Sequence, residues 1–194
     1  QADAIQQEIQ QWKNRQHAQQ HQGHTPTTLI RSTAAIIRSL ERERQRLDQA
    51  IHQLCETDTS LSKDMALLTT ISGVANRSAA QILAYGGDSL ISRSRRQLDA
   101  HAGLVPAERQ SGTSVRGKSH LAKQGNARLR RALYMPTLVA VQFNPLLKRF
   151  YQRLLEKGKA KKVALTACMR KLLNIIRAML IKRTPFNPNY QPLT

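Results

Sequence analysis

The sequence predicts a mainly all-α protein, a coiled-coil arm followed by a compact helical domain. Three observations point that way. Aromatic residues make up only 4% of the 194 residues, so the core must come from Leu, Ile, Ala and Met, which favours packed helices over a β-sandwich. Apolar residues recur at helical spacing over most of the chain. Helix start and stop signals, among them Pro26, Gly73, Asn126, Asn144-Pro145 and Gly158, divide those stretches into separate helices.

Taken in order, residues 1–24 are rich in Gln, and Ile5, Ile9 and Trp12 mark one helical face. The chain lacks an initial methionine and reads as a piece from the middle of a longer protein. Thr25-Pro26 is expected to be an N-cap followed by proline at the first helical position. A heptad pattern then runs through 27–57, with Ile30, Ile37, Arg44 and Ile51 at a and Thr33, Leu40, Leu47 and Leu54 at d. Isoleucine at a with leucine at d favours a parallel two-stranded coiled coil, hence a homo-oligomer. The same stripe would also serve an antiparallel hairpin packed on residues 1–22. Residues 1–58 are therefore read as the arm, 59–184 as a basic domain and 185–194 as a Pro-rich tail.

Within the domain, LLTTISGVANRSAAQILAYGGD (67–88) reads as helix, tight turn, helix. It resembles the helix-hairpin-helix motif, in which backbone N–H groups at a glycine turn hold a DNA phosphate. Gly73 is the candidate phosphate-holding glycine, although Ala75 stands where that motif usually has its second one. A purely structural turn is the other reading. A short helix is expected around 93–102, and room remains for a short β-hairpin around 104–121. Asn126 opens a helix that Pro136 should kink or break. Asn144-Pro145 starts the next, Gly158 ends it, and 159–183 form the last long helix.

Charge separates the two halves. Residues 1–88 hold nine basic and nine acidic residues; residues 89–194 hold 22 basic residues against Asp99, Glu108 and Glu156, which accounts for the net charge of +19. So concentrated a surplus points to nucleic acid before an anionic membrane. The most apolar run, 163–181, is interrupted by Arg170, Lys171 and Arg177, which the bilayer centre penalises, so no membrane segment is expected. Cys55 and Cys168 show no metal or redox spacing and fit a reduced, cytoplasmic (nucleoid-associated) setting. His17, His21 and His24 have helical spacing but no second ligand cluster beside them, so no metal is expected there.

The stretch 103–134, GLVPAERQSGTSVRGKSHLAKQGNARLRRALY, gathers every device for holding a phosphodiester. Arg109, Arg116, Lys118 and Lys123 supply charge along a loop. Gly125-Asn126 opens a helix whose free N–H groups and positive dipole end add to Arg128 and Arg131, three apart on one face. A serine amid such donors is placed to attack phosphorus, with arginines stabilising the developing charge. Spacing alone does not choose among Ser111, Ser114 and Ser119, and His120 has no fixed distance to any of them.

That same stretch resembles the signature of the C-terminal domain of the insertion sequence 110 family, RNA-guided transposases that also include the Piv-type invertases. The family pattern runs GLxPxxxxSG, a basic loop, then KxGNxxLRRxLY, and each element stands here in order. The segments 67–88 and 27–57 are similar to the hairpin and the coiled-coil insertion of that family. The resemblance implies that Ser111, in the SG pair, is the nucleophile that forms a covalent phosphoserine link to DNA. It further implies guide (bridge) RNA and DNA as partners, and a separate RuvC-like domain whose four carboxylates bind magnesium. That domain is not in this sequence, so the chain by itself is expected to be inactive, one half of a composite site. A non-catalytic nucleic-acid-binding and dimerisation module is the alternative.

Overall fold

A computed structural model describes residues 2–21, 26–107, 110–111, 115–116, 120–121 and 124–188. The fold is all-α in its architecture. The chain divides into two compact units, Gln1–Thr59 and Ser60–Thr194.

The first unit is a helical hairpin of α1 (Ala2–His21) and α2 (Thr27–Thr57). Its contacts run antiparallel: Thr33 Oγ1 donates to Gln19 at 3.1 Å, Lys13 pairs with Glu41 at 2.8 Å, and Arg44 Nη1 donates to Gln6 at 2.8 Å. The stripe expected to meet a parallel copy thus has a partner inside the chain. Ile9, Thr33 and Ile37 are buried there, with Ile5, Trp12, Ile30, Leu40 and Leu47 half-buried around them. The polar a residue Arg44 finds its acceptor on α1 rather than on another copy. Toward its C-terminal end the stripe is bare, Ile51 at 39% exposure and Leu54 at 67%. Pro26 stands at the N-cap rather than the first helical position, and Thr25 lies outside the described residues.

The second unit contains α3 (Thr59–Thr69), α4 (Asn76–Gly86), α5 (Ser89–Ser92), α6 (Arg95–His101), α7 (Ala127–Phe143), α8 (Pro145–Glu156) and α9 (Lys161–Lys182). Between α6 and α7 run four two-residue strands: β1 (Pro106–Ala107), β2 (Gln110–Ser111), β3 (Val115–Arg116) and β4 (His120–Leu121). The core is built on α9, whose Leu172, Leu173, Ile176 and Leu180 are buried among α5, α6, α7 and α8. Burying each such side chain contributes about 1.5–3 kcal/mol. Here lies the reason for the apolar run at 163–181: a helix surrounded by others is hydrophobic nearly all round. Among the described residues, no helix is long and apolar enough to cross a membrane.

Local signals place the helix ends. Ser94 and Gln97 form a reciprocal capping box at α6. Asn144 Oδ1 accepts from the N–H groups of Leu146 and Leu147, with Pro145 at the first helical position of α8. At the other end of α8, Gly158 (φ +73°) donates to Leu155 O and Lys159 to Leu154 O, a Schellman closure.

One expectation is corrected, and two others meet packing that local signals did not show. Pro136 does not break its helix: α7 runs unbroken from Ala127 to Phe143. Interior proline costs about 3 kcal/mol or more, but Leu133, Pro136, Thr137 and Ala140 are all buried on one face, and that packing offsets it. Nor does the chain leave the core at 185. Arg183 pairs with Asp64, the Phe186 N–H donates to Thr70 Oγ1, and the Phe186 ring packs against the core. Gly73 is the third. It has φ +108°, and a Cβ there would lie 2.7 Å from Ala140 N and 2.9 Å from Pro136 O. The turn between α3 and α4 needs glycine because its backbone presses on α7, a packing requirement that favours the structural reading of the turn.

Gly73→Ala combines a disfavoured φ with a backbone clash, so it should lower stability by about 2–4 kcal/mol. Urea unfolding followed by circular dichroism measures it; a change below about 0.5 kcal/mol would contradict the close approach to α7.

Candidate nucleic-acid interface and serine hairpin

The site grows from the point where α6 ends. Gly103 N donates to Ala100 O and Leu104 N to Asp99 O, which closes α6 and turns the chain outward. Antiparallel pairing follows: Pro106 opposite Leu121 and Ala107 opposite His120, then Gln110 opposite Arg116 and Ser111 opposite Val115. The register shifts by one residue between the two pairings. Ser111 and Val115 form the outer rung, so the backbone of the SG serine is held by its strand partner three residues before the chain returns.

The returning strand ends at a junction built by Gly125 and Asn126. Gly125 (φ +112°) packs so tightly on the end of α6 that a Cβ would lie 2.6 Å from His101 O and 2.8 Å from Gly103 N. Next to it, Asn126 N donates to His101 O at 2.6 Å. Asn126 Oδ1 caps α7 by accepting from Leu129 N at 3.0 Å, and Asn126 Nδ2 donates to Tyr85 O, near the end of α4, at 2.8 Å. One turn on, Arg130 Nη1 donates to Ala102 O at 3.0 Å. The two feet of the ribbon are thereby fixed to each other and to α4.

Sequence reasoning placed Asn126 among phosphate contacts. In the structure both ends of its side chain are engaged internally, Oδ1 as the cap of α7 and Nδ2 as a bridge to Tyr85. Arg128 and Arg131 are exposed on one face of α7, and among the described residues neither makes a hydrogen bond or ion pair. Those two guanidinium groups are free for an anion. Gly73, as shown above, serves the packing of α7. Arg109, Lys118 and Lys123, with Ser114 and Ser119, lie outside the described residues. For Ser111, Arg116 and His120 only the backbone pairing is described.

Spacing did not reveal the support beneath α6. Asp99 is 7% exposed, accepts from Asn174 Nδ2 at 2.8 Å, and lies 3.6 Å from Arg170 Nε. Burial raises its pKa, against the lowering by Asn174 and Arg170. An acid in a half with two others was the available signal. Arg177 Nε donates to Arg93 O at 2.7 Å and ties the α6 entrance to α9. His101 ends α6 half-buried, and burial, followed by the Arg93 charge, pushes its pKa down. Cys55 and Cys168 are free and buried, the latter with its thiol pushed up to about 11 by burial. Their burial fits a structural place in the helices.

Among the described residues, no three His, Cys, Asp or Glu side chains gather where a metal ion would fit. His17 and His21 stand 3.3 Å apart without a third ligand in that set.

Residues 65–152, which run from α3 into α8, match the family model described as the Transposase IS116/IS110/IS902 family, and this segment is similar to a transposase domain of that family. The chain is 36% identical over 143 residues to a pilin gene-inverting protein of Moraxella lacunata, covering 73% of this chain and 44% of that protein. It is 30% identical over 152 residues to an uncharacterized 43.6 kDa protein of insertion element IS110 from Streptomyces coelicolor, covering 78% of this chain and 36% of that one. The chain thus spans less than half the length of these relatives.

Two outcomes follow from this geometry. Asn126→Ala removes a cap and a bridge and should cost about 1–3 kcal/mol of stability, whereas Arg128→Ala should cost no more than about 0.5; paired urea titrations compare them. Asp99, with its folded pKa raised, favours folding fully below the ordinary aspartate value. That contribution is lost as pH rises through the raised value. Asp99→Asn should flatten this decline, as read from unfolding midpoints on either side of that window.

Proposed function

We propose that this domain acts in DNA transposition or inversion, by strand exchange through a covalent phosphoserine–DNA intermediate with Ser111 as nucleophile. The observation that carries the reading is the shared foot. The Gly125–Asn126 junction anchors both the ribbon that bears Ser111 and the helix start that presents Arg128 and Arg131. In the first step the Ser111 hydroxyl oxygen bonds to phosphorus, one bridging P–O bond breaks, and the released DNA oxygen takes a proton. A DNA hydroxyl later attacks the phosphoserine, restores a phosphodiester and releases the serine, so bond energy is conserved. Guanidinium groups beside phosphorus stabilise the extra charge of the five-coordinate transition state.

Guide RNA, cytoplasmic action and a magnesium-binding RuvC-like partner domain belong to the same proposal, since the chain lacks a carboxylate cluster of its own among the described residues. Arg109, Arg116, Lys118 and Lys123 are the further phosphate contacts it assigns. Homo-oligomerisation through 27–57 also belongs to it, supported by the exposed Ile51 and Leu54 at the end of the stripe.

Joined to a RuvC-like domain and given magnesium, guide RNA and labelled target DNA, the chain should form an adduct that survives denaturing electrophoresis. Ser111→Ala should reduce it by about a thousandfold or more. An adduct that persists in the variant moves the nucleophile to Ser114 or Ser119. No adduct from protein that still binds DNA leaves a non-catalytic binding module. Separately, Arg128→Gln and Arg131→Gln should each lower the salt slope of DNA binding by about 1, as measured by fluorescence anisotropy.

A further inference from the structure

A second cationic surface lies mostly beyond the matched segment. From Pro145 to Lys162 the sequence carries Lys148, Arg149, Arg153, Lys157, Lys159, Lys161 and Lys162 against Glu156 alone. All seven cations are exposed, and among the described residues none is ion-paired. Lys148, Arg149, Gln152, Arg153 and Glu156 share one face of α8, and the Schellman turn at Gly158 carries the charge over to the start of α9.

At the start of α9 folding gains nothing from this arrangement. The N-terminus of a helix favours acidic residues, yet the first turn of α9 has none. It begins with Lys161 and Lys162, and its N-cap, Ala160, makes no side-chain cap hydrogen bond. Cations placed against the helix dipole and against one another are stabilised only when an anion is added, and the chain supplies just Glu156 nearby. The chemistry of the patch narrows the partner. Five of the seven cations are lysines, point charges suited to backbone phosphates rather than to forked recognition of one group. The one phenylalanine of α8, Phe150, has Lys171 4.4 Å and Arg153 5.4 Å from its ring centroid, so its face is occupied rather than offered to a base. Single-strand binders present stacking platforms along their basic track. The other aromatic of this track, Tyr151, is half-buried against the core rather than laid open to a base.

We propose that the α8–α9 surface is a second contact face, which holds the phosphate backbone of duplex DNA without reading sequence. The inference rests on the reading of the chain as a DNA-handling domain but uses residues separate from the ribbon and from α7. It would grip a flanking duplex while the serine ribbon engages a strand.

The test uses the whole 194-residue chain, a fluorescent duplex of about 30 base pairs and a single strand of the same length. In the variant Lys157→Gln/Lys159→Gln/Lys161→Gln/Lys162→Gln, the salt slope for the duplex should fall by about 3–4, and affinity at ~0.1 M salt by about a hundredfold or more. The corresponding Lys→Arg variant should keep both, and it separates lost charge from lost folding. Single-strand affinity should fall much less. An unchanged duplex slope overturns the proposal, and so does an equal loss on duplex and single strand. Arg128→Gln/Arg131→Gln, measured alongside, keeps the two readings apart: loss there alone sustains the α7 interface and removes this one, and the reverse pattern does the opposite.

Discussion

The start of α7 is the constraint on which the rest of the second unit depends. At Gly125 and Asn126 three chain segments meet within hydrogen-bonding distance: the ends of α4 and α6 and the first turn of α7. No side chain fits at Gly125 because the His101 carbonyl and the Gly103 N–H fill the space. A short amide at position 126 reaches the cap on one side and Tyr85 on the other. Lengthening or removing either residue would leave buried backbone groups unpaired, which costs more than the net value of the bonds themselves. The chain leaves α6 and enters α7 at this junction.

The basic residues of the second unit fall into two sorts once their neighbours are known. Arg130, Arg177 and Arg183 are spent inside the molecule, on the carbonyls of Ala102 and Arg93 and the carboxylate of Asp64. Arg170 shares the buried Asp99 with Asn174. Arg128, Arg131 and the α8–α9 cations have no such duty among the described residues. A net charge of +19 therefore gives the sign of a partner's charge but not which cations are available to it. The fold uses several of its guanidinium groups as long-reach bonds between helix ends.

Where sequence patterns had two solutions, competition between packings settled them. The stripe on α2 satisfies a heptad and also one face of an antiparallel hairpin, and heptad spacing does not tell an internal partner from a second copy. Contacts between Gln6, Lys13 and Gln19 on α1 and Arg44, Glu41 and Thr33 on α2 give it the internal partner over most of its length. Gly73 is similar. A glycine with positive φ after a helix fits either a phosphate cradle or a close helix crossing, and the approach of Ala140 and Pro136 favours the crossing. Pro136 itself read as a helix breaker because propensity counts the lost hydrogen bond and not the burial that offsets it.

By itself the sequence determined the helical class, the start of α7, both ends of α8 and the last long helix, α9. These depend on local signals: capping residues such as Asn144, the left-handed glycine at 158, and apolar periodicity, all of which act within a few residues of themselves. Tertiary structure alone decided which of the candidate contacts face outward. Asn126, Arg128 and Arg131 lie within six residues and are all candidate phosphate contacts by sequence, yet Asn126 is tied to a carbonyl while Arg128 and Arg131 are exposed, without a hydrogen bond or ion pair among the described residues. The difference arises because the Tyr85 carbonyl, far away along the chain, meets Asn126 at that point in space, as the Ala102 carbonyl meets Arg130. A hydrogen bond between residues 41 or 28 positions apart leaves no trace in local spacing.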